Sequence, residues 1–108
     1  LVTGLPQTIT ATTEDLIAAM SDSIKEIARV LKLTLEQTPP ELAADIMERG
    51  IVLCGGGAQL KNLDRYISEI TGMPVYVAET PTDCVIKGVG SALENITVLK
   101  KATKTKRK

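Results

Sequence analysis

Apolar residues recur three and four apart from Ile17 to Leu35, through Met20, Ile24, Ile27, Ala28 and Leu31. That spacing predicts one long amphipathic helix with a face buried along its run. Thr12 stands at the N-cap position, and Asp15 three residues later completes a capping box. Ser21-Asp22-Ser23 predicts a place where the helix divides in two, since these side chains cap better than they continue. Upstream, Leu5-Pro-Gln-Thr-Ile-Thr-Ala-Thr12 is β-branched and roughly alternating, which predicts a strand. Thr38-Pro39-Pro40 ends the long helix and opens a short one over 41–48, closed by Gly50.

The apolar run Ile51–Cys54 predicts a buried strand, and Pro74–Ala78 a second one. Between them Leu60, Leu63, Ile67 and Ile70 predict a helix over 58–71, with Gly72 just past its end. Strand, helix and strand together predict a right-handed parallel crossover. After a polar turn at 79–83, Val85, Val89, Ala92, Ile96 and Leu99 mark a last helix from about 83 to 99. Gly88 and Gly90 within it are expected to let another backbone come close. The sum is an α/β fold: two parallel strands and one N-terminal strand packed with about four helices. So few strands cannot cover the apolar stripes of these helices, which predicts part of a larger sheet domain.

The junction Leu53-Cys54-Gly55-Gly56-Gly57-Ala58 carries the candidate chemistry. A turn without side chains between a strand and a helix lets a ligand reach main chain, and helix N-terminal amides suit a phosphate or ribose. The glycines are not a P-loop, because no Lys-Ser or Lys-Thr follows, and they lack the Gly-x-Gly-x-x-Gly spacing. On spacing alone the turn reads equally well as a site where close packing excludes Cβ.

Composition narrows the classes. At 108 residues the chain is one domain at most, and Tyr66 and Tyr76 are its only aromatics. Stacking platforms for nucleic acid are therefore nearly absent, and no nucleic-acid partner is expected. Cys54 and Cys84 form no Cys-x-x-Cys, and there is no His, so no metal ligand is assigned and two reduced thiols of a cytosolic protein are expected. No apolar run approaches the ~18 residues of a membrane span. Asp64, Glu79 and Asp83 read as solvated charges or caps, and none is assigned a catalytic role. Residues 1–99 hold seven basic groups against thirteen acidic ones, whereas residues 100–108 carry six basic groups and no acid. That tail is expected to be disordered, either a solvated extension or one attracted to anionic lipid or another polyanion.

Several segments together are specific: Leu5-Pro6 with Thr8-Ile9; Thr34-x-Glu36-x-Thr38-Pro39-Pro40-Glu41-Leu42-Ala43-Ala44-Asp45-Ile46-Met47; Arg49-Gly50-Ile51-Val52-Leu53-x-Gly55-Gly56-Gly57-Ala58; Leu63-Asp64-Arg65; Thr71-Gly72-x-Pro74-Val75; and Ala78-Glu79. Over residues 1–99 the chain resembles the C-terminal third of the MreB family, the bacterial actin-like, rod-shape-determining proteins. It departs at Cys54, where the family often has Thr, and at Thr80-Pro81-Thr82-Asp83, where it often has Asp-Pro-Leu-Thr.

The resemblance implies a partial actin-like ATPase domain of the RNase H-like class. Residues 1–99 would be most of subdomain IIA, with 1–12 the strand returning from subdomain IIB. Gly55, Gly56, Gly57 and Ala58 would be the nucleotide-contacting loop. ATP with Mg²⁺ would be the cofactor of the full-length protein, a weak ATPase. The other phosphate loops and the Mg²⁺ and water-activating carboxylates would lie upstream, so the isolated chain is expected to be inactive and to hold no nucleotide tightly. The implied setting is cytoplasmic and membrane-associated, in filaments that govern rod shape and cell-wall synthesis. The implied partners are other protomers, a RodZ-like membrane protein on subdomain IIA and, through the tail, an anionic membrane. A nucleotide-independent interaction module and a sugar kinase of the same superfamily are the alternatives; the kinases lack the Thr-Pro-Pro-Glu-Leu segment.

Overall fold

The computed structural model describes residues 4–106. The chain divides into two compact units, Leu1–Thr38 and Pro39–Lys108.

In the first unit one helix, α1 (Thr13–Glu36), carries the structure. Its capping box forms as the sequence predicts. The Thr12 hydroxyl accepts from the Asp15 amide at 3.2 Å, and the Thr12 amide donates to Asp15 Oδ2 at 3.0 Å. The helix does not divide at Ser21-Asp22-Ser23. Met20 and Ile24 lie four apart across that segment, so a break there would take the two halves of the apolar stripe out of phase. The covered positions are Ser21, Ile24, Ala28, Leu31 and Leu35, whereas Ile17, Met20 and Ile27 of the predicted buried face are exposed, so the stripe is not buried along its whole run. Glu26 and Arg29 pair through two hydrogen bonds of 2.7 and 2.9 Å on the exposed side. Toward the C-terminus Thr34 and Thr38 donate their hydroxyls to the carbonyls of Val30 and Thr34, the second of which lies in the last turn, where helical amides run out.

The predicted strand over 5–12 is not found: residues 4–12 have no regular secondary structure and are exposed. A strand exists only by pairing with a neighbour, and nothing among the described residues pairs with that segment. Residues 1–3 of the proposed returning strand lie outside the described residues.

The second unit is built around a two-stranded parallel sheet. β1 (Ile51–Leu53) pairs with β2 (Val75–Val77) in the register Ile51 to Val75, Val52 to Tyr76 and Leu53 to Val77. Helix α2 (Pro40–Arg49) precedes β1 and begins on Pro40, whose missing N–H costs nothing in a first turn. Gly50 ends it at φ +85, donating its amide to the Ile46 carbonyl at 2.7 Å. A Cβ there would lie 2.6 Å from Tyr76 Cε2 and 2.8 Å from the Pro74 carbonyl oxygen, so helix and strand meet only over glycine.

Helix α3 (Leu63–Thr71) links the strands and packs on β2. It starts later than the predicted residue 58: Gly56–Gln59 form one 3-10 turn, and Leu60 is extended. Asn62 is left-handed at φ 66. Ile67 on α3 is 2% exposed, and only Ala28 and Ala58 are also buried among the described apolar residues. Gly72 takes the left-handed C-cap that the sequence predicts, with its amide on the Ser68 carbonyl at 2.9 Å.

The final segment differs from its prediction twice. A single helix over 83–99 is expected, but α4 (Cys84–Glu94) stops at Asn95 and α5 (Ile96–Lys106) begins again. Asn95 Nδ2 donates to the Ser91 carbonyl at 2.9 Å, giving that carbonyl a side-chain donor at the break. Second, the tail expected to be disordered is helical through Lys106. Lysine and alanine are good helix formers, so the segment needs no core to extend α5. Arg107 and Lys108 lie outside the described residues. Gly88 and Gly90 admit no close backbone here: a Cβ at either would meet nothing within 4 Å.

Candidate functional site

The two parallel strands end side by side, and the turn after each lies at the sheet's carboxyl edge. In open α/β sheets that edge is where ligands bind. After β1 come exposed Cys54 and the Gly55–Gly57 turn; after β2 comes the turn Pro81–Asp83, which leads into α4. The Gly55 amide donates to the Pro81 carbonyl at 2.6 Å and ties the two turns together.

Gly55 has φ +86 and ψ 171, a region open in practice only to glycine. The backbone turns sharply out of the strand there. Gly56 and Gly57 have no positive φ, so their lack of a side chain is not a backbone requirement. A Cβ at Gly55, Gly56 or Gly57 would meet nothing within 4 Å. Close packing does not exclude side chains here; the glycines leave main chain facing open space.

Ala58 differs from its three neighbours. It is 6% exposed, and its amide donates to the Gly55 carbonyl at 3.2 Å, closing the 3-10 turn. Gly56 and Gly57, as first-turn residues, have no acceptor one turn back, and among the described residues no other acceptor takes their amides. Of the four predicted site residues, Gly56 and Gly57 therefore offer free donors, Gly55 sets the bend, and Ala58 anchors the turn in the interior.

The second turn is held from α4. Lys87 Nζ donates to Thr80 Oγ1 at 2.7 Å, the Cys84 thiol points to the Thr80 carbonyl at 3.5 Å, and the Asp83 amide donates to that carbonyl at 3.0 Å. Sequence reasoning did not single out Thr80, Pro81 or Lys87 for this joint. The readable signal was a proline flanked by threonines directly after a short strand. Asp64 is half-buried in the first turn of α3, while Glu79 and Asp83 are exposed. No hydrogen-bond or ion-pair partner holds these three carboxylates among the described residues. Nor does any group of three or more His, Cys, Asp or Glu side chains there gather as a metal site.

Comparisons with known proteins bear on this geometry. A family model described as MreB/Mbl protein matches residues 1–101. The cell shape-determining protein Mbl of Bacillus subtilis (strain 168) is 46% identical over 101 residues, which is 94% of this chain and 30% of Mbl. The cell shape-determining protein MreB of Escherichia coli (strain K12) is 49% identical over 96 residues, 89% of this chain and 28% of that protein. Among solved structures, MreB5 of Spiroplasma citri bound to ADP superposes with a TM-score of 0.82 at 36% identity, covering 89% of this chain and 29% of that one. MreB5 bound to AMPPNP gives the same TM-score, 0.82, at 34% identity over 94% of this chain and 31% of that one. The elements described above are thus a piece of the MreB actin-like fold, and the chain spans about 30% of the length of the curated relatives it matches.

Proposed function

The chain belongs to the MreB/Mbl family, and from that membership we propose that it serves an actin-like, cell shape-determining protein as one wall of its ATP cleft. The carrying observation is the open glycine turn at the carboxyl edge, where Gly56 and Gly57 leave free amides and no side chain intrudes. Neutral main-chain donors in open space suit a ribose or phosphate oxygen. The relatives bound to ADP and AMPPNP support the same reading, since MreB5 superposes on most of this chain.

In this reading Gly55, Gly56, Gly57 and Ala58 contact the nucleotide through main chain, and the rest of the protein supplies the Mg²⁺ site and the other phosphate clamps. ATP would provide a phosphoryl group whose transfer to water needs metal, clamps and an oriented water together, so the 108 residues alone are inactive. The whole protein assembles into ATP-dependent filaments of like protomers at the cytoplasmic face of the membrane and governs rod shape and wall synthesis. The exposed apolar residues of α2, Leu42 and Met47, and of α4, Val85, Ile86, Val89 and Leu93, fit a protein that is covered by neighbours. A RodZ-like membrane protein is the further partner, and the basic C-terminal segment meets anionic lipid.

A chimera tests this. Residues 1–99 replace the matching third of Escherichia coli MreB, in cells depleted of their own copy. The expected outcome is nucleotide binding by the purified chimera and recovery of rod shape. A stably folded chimera that binds no ATP would overturn the nucleotide reading; binding without rod shape would overturn the role in morphology.

A further inference from the structure

Helix α5 sorts its residues by kind. At about 100° per residue, Val98, Ala102, Leu99 and Ile96 share one side, and Lys100, Lys104 and Lys101 share the other. Lys106 is the exception: by position it falls on the apolar side, in the last turn of the helix. No acidic residue occurs from Ile96 to Lys108. The apolar side is uncovered: Val98 is 66% exposed, Leu99 45% and Ile96 44%. An open depression on this helix is lined by Ile96, Leu99, Lys100, Thr103 and Lys104. The break at Asn95 sets this helix apart from α4, whose exposed apolar face has no comparable row of charge beside it.

We propose that α5 is an interfacial helix that lies flat on an anionic phospholipid surface, with Ile96, Val98 and Leu99 sunk to the acyl boundary and its lysines among the headgroups. This rests on the reading that the chain works at a membrane, and it adds the mode: partial insertion of an ordered helix, not the long-range attraction of a loose cationic tail. One argument favours lipid over a second copy of the chain. Helix α2 carries Glu41, Asp45 and Glu48 three and four apart, so a second copy offers an acidic stripe to the lysines. Docking there would satisfy the basic side and leave the opposite apolar side in water. A bilayer interface satisfies both sides at once, because charge and hydrocarbon are stacked in the direction in which α5 separates them.

The test uses the 108-residue chain with phosphatidylserine–phosphatidylcholine vesicles, and pure phosphatidylcholine as the control. Lys100→Glu with Lys104→Glu is expected to weaken vesicle binding at least about fivefold per lysine at low salt. Val98→Ser with Leu99→Ser keeps the charge and is expected to weaken it about tenfold, removing the binding that survives high salt. Both side chains are exposed, so circular dichroism should show the fold retained. A serine pair that binds as well as its parent would overturn the insertion and leave the membrane reading standing. A parent chain that ignores the anionic vesicles would overturn that reading itself. Lysine variants that lose self-association while vesicle binding holds would overturn the proposal in favour of a second copy's α2.

Discussion

Gly50 and Gly55 stand beside the two ends of the three-residue strand β1, both with positive φ, at +85 and +86. The first is crowded, with Tyr76 and Pro74 within 3 Å of where its Cβ would be; the second faces open space. The same residue type thus serves opposite needs. At the amino edge glycine lets α2 and β2 close together, and any side chain would push them apart. At the carboxyl edge glycine bends the chain outward and leaves main chain accessible. The carboxyl edge, where the main chain is accessible, is the side on which ligands bind in open α/β sheets.

Substitution separates the two ends. Gly50→Ala has the largest expected effect: overpacking against a backbone carbonyl is added to strain at positive φ, for a loss of about 3 kcal/mol by chemical denaturation. Gly55→Ala meets no neighbour and is strained only by its backbone, so a loss of about 2 kcal/mol is expected. Equal losses, or a larger one at Gly55, would break the distinction between a crowded edge and an open one.

The smallest effect is a control from the other unit. The Thr12 amide donates to the Asp15 carboxylate and, with the Thr12 hydroxyl, holds it below the ordinary carboxylate range. A folded value below the unfolded one gives stability that is present above the usual carboxylate value and is lost as pH falls through the lowered one. Asp15→Asn should therefore be slightly less stable than its parent near neutrality, and the gap should close on acidification below the carboxylate range. A gap that widens in acid would reverse the sign argued here. Neither edge of β1 should respond to this change.

Elements whose cause is local were legible in the chain. The capping box at Thr12 and Asp15, the proline start of α2 and the Gly72 cap depend on residues a few positions apart, and β1 and β2 are marked by short apolar runs, although their pairing is long-range. The features that escaped depend on what lies elsewhere. A strand at 5–12 needs a partner edge, which none of the described residues provides. The crowding at Gly50 comes from Tyr76, twenty-six residues on, and only the parallel register brings them together. Asn62 in the left-handed region delays α3, and nothing in the apolar spacing announces it. The charge of the C-terminal lysines predicts a loose tail, but their helix propensity also decides their structure. For the candidate site, the glycines are visible and their purpose is not: spacing gives packing and access equal standing, and within this chain the volume around Gly56 and Gly57 is empty.

The most direct measurement is calorimetric titration of ATP into the Escherichia coli MreB chimera, with and without Gly56→Ala and Gly57→Ala. Neither position has a positive φ and both face open space, so alanine should leave the melting temperature unchanged or raise it, by about 0.4–1 kcal/mol of stability per site. If these amides form a nucleotide wall, two added methyl groups should weaken ATP binding by at least about tenfold, the 1.4 kcal/mol that a displaced main-chain contact is worth. A double variant that melts like its parent and binds ATP just as tightly would contradict the account.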